Sequence, residues 1–141
     1  MFKDLLENKG NRFYTVNAES VKKAQEDLGI ILPDELRKFY EQIGYGFLSS
    51  EEENFNRIMD PSSLCDFRFR EGQFENDPEL DIYEEDEIDK LIFFEVCEGL
   101  FFSIGFTKNN RGKIFSGDKV IADSLKEFLL EYQKNERYWD N

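Results

Sequence analysis

Carboxylates are the most plentiful chemistry-bearing side chains of this 141-residue chain, and they are concentrated in one place. Ten of them (Glu71, Glu75, Asp77, Glu79, Asp81, Glu84, Glu85, Asp86, Glu87 and Asp89) precede a single cation, Lys90. Carboxylates in pairs can perform general acid–base chemistry, and carboxylates at alternate positions can hold calcium. Asp77, Glu79 and Asp81 have the 1, 3, 5 spacing of a calcium loop. The sixth position, where the turn needs Gly, is Ile82, and the twelfth, where a bidentate Glu is needed, is Ile88. The EF-hand pattern therefore fails. An acid–base pair needs two carboxylates held opposite one another, and nothing in the spacing assigns such a pair.

Other chemistries are removed by missing residue types. The chain has no histidine and two cysteines, Cys65 and Cys97. A Ser-His-Asp triad, a Cys-His pair and a four-ligand Cys zinc site are all excluded. Gly112-Lys113 lacks both the first glycine of a phosphate-binding loop and the Ser/Thr after the lysine. No catalytic residue, cofactor site or metal site is assigned, and the chain is read as a non-enzyme.

What remains is charge. Residues 71–90 carry net −9 of the −13 of the whole protein. Such a run repels itself. Phe74, Pro78, Leu80, Ile82 and Tyr83 interrupt it, so it differs from a plain solvated tail. An acidic surface with embedded aromatics suits a basic protein partner, such as a nuclease, which must carry positive charge to hold phosphates. The candidate partner-binding residues are Phe74, Asp81, Tyr83, Glu84, Glu85, Asp86, Glu87 and Asp89, with Tyr83 or Phe74 as anchor. The competing reading is a solvated loop whose aromatics only tie it to the core. Direct binding of nucleic acid or an anionic membrane is not expected, because that affinity comes from Lys and Arg.

The positioning elements follow from length and pattern. This length suits one domain, and fifteen Phe, six Tyr and one Trp can fill its core. Two thiols without an apolar signal region point to a reducing cytoplasm, with Cys65 and Cys97 as small core residues. Phe2, Leu5 and Leu6 suggest a short first helix, and residues 12–16 an extended connector. Asn17 is a plausible N-cap before Val21, Ala24 and Leu28, with Gly29 as stop. Pro33 opens a third helix with Leu36, Phe39, Tyr40 and Ile43 on its buried face; Gly44 and Gly46 end it. The alternation in DFRFR, residues 66–70, predicts a half-buried strand. Residues 91–96, 100–104, 113–115 and 120–121 predict an antiparallel meander. Ser124 and Glu127 have capping-box spacing before Leu125, Phe128, Leu129 and Tyr132. Residues 133–141 are expected to fray, or to dock through Tyr138 and Trp139. The sum is a single α+β domain over residues 1–141, with helices packed on one mostly antiparallel sheet.

The segment AQEDLGIILPDELRKFYEQIGYG, residues 24–46, resembles the signature of the SUKH superfamily. Leu28-Gly29, Leu32-Pro33, Phe39-Tyr40 and Gly44 with Gly46 carry the resemblance. The strands at 91–94 and 100–106, the short strand at 113–115 and the helix SLKEFLL at 124–130 follow in the family's order, so the likeness spans about 17–132. Where the family usually has Asn-Gly, this chain has Ile43-Gly44. The resemblance implies a bacterial immunity protein that binds and neutralises a cognate polymorphic toxin, often a nuclease, encoded beside it. A regulatory or scaffold module using the same surface is the alternative.

Overall fold

Seven short strands run in chain order across one antiparallel sheet in the computed structural model, which describes residues 2–140. They are β1 (Arg12–Tyr14), β2 (Tyr45–Phe47), β3 (Arg57–Ile58), β4 (Lys90–Cys97), β5 (Leu100–Gly105), β6 (Ile114–Ser116) and β7 (Lys119–Ala122). Five helices complete the α+β domain: α1 (Lys3–Glu7), α2 (Ala18–Leu28), α3 (Asp34–Gln42), α4 (Pro61–Phe69) and α5 (Leu125–Lys134). The apolar runs set the longest pair. β4 and β5 are joined by the two-residue turn Glu98-Gly99, and every residue from Phe101 to Gly105 is buried.

Successive residues of a strand face opposite sides of the sheet. Phe102 meets Phe128 of α5 at 5.8 Å and Phe94 of β4 at 5.8 Å, the latter pair stacked. Its neighbour Phe101 meets Phe67 of α4 at 4.9 Å. Thus α5 covers one face of the β4–β5 hairpin and α4 covers the other.

Caps and turns behave as their residues dictate. The Asn17 side chain accepts from Glu19 N–H at 2.6 Å, and Ser124 Oγ accepts from Glu127 N–H at 3.1 Å. The reciprocal Glu127 carboxylate takes Asp123 N–H at 2.9 Å, one residue before the cap. Pro33 is the cap residue of α3 rather than its first helical residue.

Three further sequence expectations need correction. The 66–70 strand is the end of α4. Pro61 fills its first turn behind Asp60, and Leu64 and Phe67 are buried at helical spacing. On a strand Phe67 and Phe69 would share a face; here Phe67 is buried and Phe69 stays 47 % exposed. Gly44 and Gly46 also do more than stop a helix. With φ of 120° and 152°, they let β1 approach so closely that a Cβ would lie 1.9 Å from the Tyr14 carbonyl oxygen and 2.1 Å from that of Arg12. This approach creates β1 and β2 from residues read as a connector and a stop. Finally, Leu6 points to solvent, while Phe2 and Leu5 enter the core.

The C-terminal residues dock. Tyr138 donates to the Ile121 carbonyl at 2.7 Å, and the Trp139 ring meets Phe102 at 5.1 Å. The last of them, Asn141, lies outside the described residues, as does Met1.

Candidate protein-binding surface

Residues 71–89 form a belt of three short 3₁₀ turns, Gly72–Phe74, Pro78–Tyr83 and Asp86–Ile88, between α4 and β4. Pro78 starts the central turn, and Asp77 caps it by accepting from Glu79 N–H at 3.0 Å. Like charges three and four residues apart oppose a longer α-helix, and short 3₁₀ pieces are what such a sequence supports.

Three side chains, Phe74, Leu80 and Tyr83, fix the belt to the core. Phe74 meets Phe67 at 4.9 Å, and Tyr83 meets Phe101 at 5.4 Å. The Tyr83 hydroxyl donates to the Gly99 carbonyl at 2.7 Å and accepts from Phe101 N–H at 2.9 Å. Phe74 and Tyr83 therefore mount the belt on the core, as the competing reading of the sequence has it, and offer little exposed area as partner anchors. Their apolar area and edge-to-face ring contacts are satisfied inside the protein.

Two arginines from the end of α4 clasp the belt from beneath. Arg70 lies over the Phe67 ring at 4.6 Å and reaches Glu87 Oε1 at 2.6 Å and Oε2 at 3.2 Å. Arg68 donates to the carbonyls of Glu87 at 2.5 Å and Lys90 at 3.3 Å. Lys90, itself buried, pairs with Asp89 at 3.0 Å and covers the Phe115 ring at 4.7 Å.

These contacts divide the carboxylates chosen from sequence. Glu87 is held by Arg70 within the fold, and Asp89, its side chain still partly exposed, is paired with Lys90. Asp86 is half-buried; burial pushes its carboxyl up, with Lys90 opposing. Asp81, Glu84 and Glu85 face solvent, together with Glu71, Glu75 and Glu79. Among these acids stand two large apolar side chains that sequence reading did not select, Ile82 at 73 % and Ile88 at 77 % exposure. In the sequence Ile82 stands out only as an interruption of the acidic run and a mismatch to a calcium loop, and Ile88 only as such a mismatch.

A second carboxylate centre was not foreseen. Glu136, just after α5, accepts from Glu51 N–H at 2.6 Å, Ser50 Oγ at 2.8 Å, Asn56 Nδ2 at 2.9 Å and Asn54 Nδ2 at 3.3 Å. Asn56, fully buried, also accepts from the Tyr132 hydroxyl at 2.6 Å. Burial alone would raise the Glu136 carboxyl, but the bonds from Asn56, Ser50, the Glu51 amide and Asn54 outweigh it and hold the group below its ordinary value. A pocket of about 210 Å³ adjoins this centre. With its oxygens occupied by donors of the 50–56 loop, Glu136 serves as a clamp rather than a reactive base.

Neither centre has the makings of a metal site: among the described residues no group of three or more Cys, Asp or Glu is placed to hold an ion. Cys65 and Cys97 are free thiols, each partly buried. No helix of the described residues is long and apolar enough to cross a membrane.

The family model of the SMI1 / KNR4 family (SUKH-1) matches residues 15–131. The chain belongs to this family. A curated relative, "Immunity protein YxxD" of Bacillus subtilis (strain 168), is 46 % identical over 132 residues, covering 94 % of this chain and 90 % of the relative. The SUKH-1 match starts just after β1 and ends within α5, so it includes β2 to β7 and the entire acidic belt.

Proposed function

We propose that this SUKH-1 chain is a non-catalytic immunity protein that binds and neutralises a cognate toxin in the cytoplasm. Its likeness to a named immunity protein along nearly the full length of both chains carries this reading. The toxin domain is a basic nuclease, and the acidic belt meets it. Asp81, Glu84 and Glu85 supply the charge that steers encounter, with Asp86 beside them. Ile82 and Ile88 supply apolar contacts that become desolvated on binding. Phe74, Tyr83, Glu87 and Asp89 contribute by holding the belt in one shape before the partner arrives, which lowers the ordering cost of binding. Inhibition is by occupancy: a surface of net negative charge excludes the phosphates that a nuclease must bind.

The test is co-expression with the product of the gene immediately upstream, scored by growth and co-purification. A toxic neighbour that is rescued and recovered as a complex is the expected outcome. A harmless neighbour, or a toxic one neither bound nor rescued, favours a regulatory module instead.

A further inference from the structure

Beside the belt lies a trough of about 530 Å³ between α2 and α4. Its construction follows from helix periodicity. From α2, Ser20, Lys23, Ala24 and Asp27 line it, at i, i+3, i+4 and i+7. From α4, Ser62, Cys65, Asp66 and Phe69 line it at the same spacing. The helices touch at its floor, where Cys65 Sγ lies 3.9 Å from the Ala24 carbonyl oxygen, and Glu71 closes one end.

Two properties of this trough point to an occupant. Its lining carries three carboxylates, Asp27, Asp66 and Glu71, against one cation, Lys23. Lys23 is 75 % exposed and paired with Asp27 at 3.1 Å, so it leaves Asp66 and Glu71 uncompensated. Its wall also offers Phe69, a half-exposed aromatic ring that the core does not use. A carboxylate beside an open aromatic face suits a guanidinium, which stacks on rings, is weakly hydrated and pairs with carboxylates in a planar fork. The Cys65 thiol reports the same field: burial first, then Asp27 and Asp66, push it up to about 11.

We propose that the α2–α4 trough is a second contact for the partner protein and receives an arginine side chain from its basic surface. This rests on the immunity reading. It enlarges the interface from the belt, through Glu71, onto two helices. The belt then supplies steering charge and the trough a buried anchor, the combination expected of a tight protein pair.

The experiment uses the full chain in a Cys97→Ser background, so that Cys65 is its sole thiol. The probe is the catalytically inactivated toxin domain encoded by the adjacent gene. Affinity is measured for the parent protein, Phe69→Ala and Asp66→Asn, with melting curves to establish that each is folded. Alkylation of Cys65 is followed at alkaline pH with and without the probe. The expected result is a loss of about tenfold or more in affinity for each variant, and slowed alkylation in the complex. Parent-like affinity in both variants with unchanged alkylation overturns the trough as a contact and leaves the immunity reading standing. No complex with the parent protein overturns both. Altered self-association of the chain alone on Phe69→Ala assigns the trough to a second copy, and that also overturns the proposal.

Discussion

Two carboxylate centres of this protein differ in what their oxygens touch. Glu136 has donors from four residues of one loop around its two oxygens. Asp81, Glu84 and Glu85, on the belt, have no side-chain hydrogen bond or ion pair among the described residues. The first centre holds the chain together; the second leaves its charge available to something else. Counting acids along the sequence finds only the second. The number of bonds already made to each carboxylate separates a clamp from a contact surface.

The largest effect should come from breaking the clamp. Glu136→Ala leaves the buried Asn56 amide only its longer bond to the Ser49 carbonyl at 3.3 Å and frees the 50–56 loop, and about 3 kcal/mol of stability should be lost. Urea unfolding measures this, and a loss under about 1 kcal/mol would dissolve the distinction between the centres. Next comes the mount of the belt. Tyr83→Phe removes the hydroxyl that satisfies Gly99 and Phe101, at a cost of about 1–2 kcal/mol, also read by urea unfolding.

Replacing Asp81, Glu84 and Glu85 by their amides should leave stability within about 0.5 kcal/mol of the parent. Association with the toxin domain should slow several-fold at low salt, and the effect should fade as salt rises. Stopped-flow rates across a salt series check it, and a salt-independent rate would remove steering from the account. Glu87→Gln, one residue beyond Asp86, should behave in the opposite way, because it breaks the pair with Arg70. Its loss belongs in the unfolding curve.

The smallest effect is in pH dependence. The Glu136 carboxyl is lowered in the folded state from 4.5, so its contribution is complete above that value. The contribution is lost as pH falls below 4.5 through the folded value. Asp86 and Glu95 are raised by burial, so their terms have the opposite sign and partly relieve the fold on acidification. The difference in stability between the parent and Glu136→Gln should therefore shrink as acid is added, in denaturant midpoints taken between neutral pH and about pH 3. A constant difference would place the Glu136 effect elsewhere than in its ionisation.

Much of the fold was legible because single residues had single explanations. Asn17 and Ser124 cap helices, Glu98-Gly99 turns the central hairpin, and the apolar runs 91–96 and 100–104 become its strands. Phe67 and Phe69 misled because their spacing fits a strand, and only Asp60-Pro61 upstream signalled the helix. Strands β1 and β2 were hidden because the glycines that permit them are also ordinary helix stops. At the candidate surface, acid content was visible, but which acids were free was not: the arginines that engage Glu87 come from a helix read as a strand. Aromatic residues embedded in the acidic run were named as anchors, whereas the core took Phe74 and Tyr83 and left two isoleucines outside.

A sheet whose strands lie in chain order ends in two open edges, and an open edge invites pairing with another molecule. On this molecule both edges are short: β1 is three residues and β7 four. A cation stands on each, Arg12 and Lys119. At β7 the docked C-terminus adds a physical barrier, with Tyr138 taking the Ile121 carbonyl and Lys119 donating to the carbonyl of Trp139 at 3.2 Å. The residues after α5 thereby occupy an edge at which a further strand would otherwise pair.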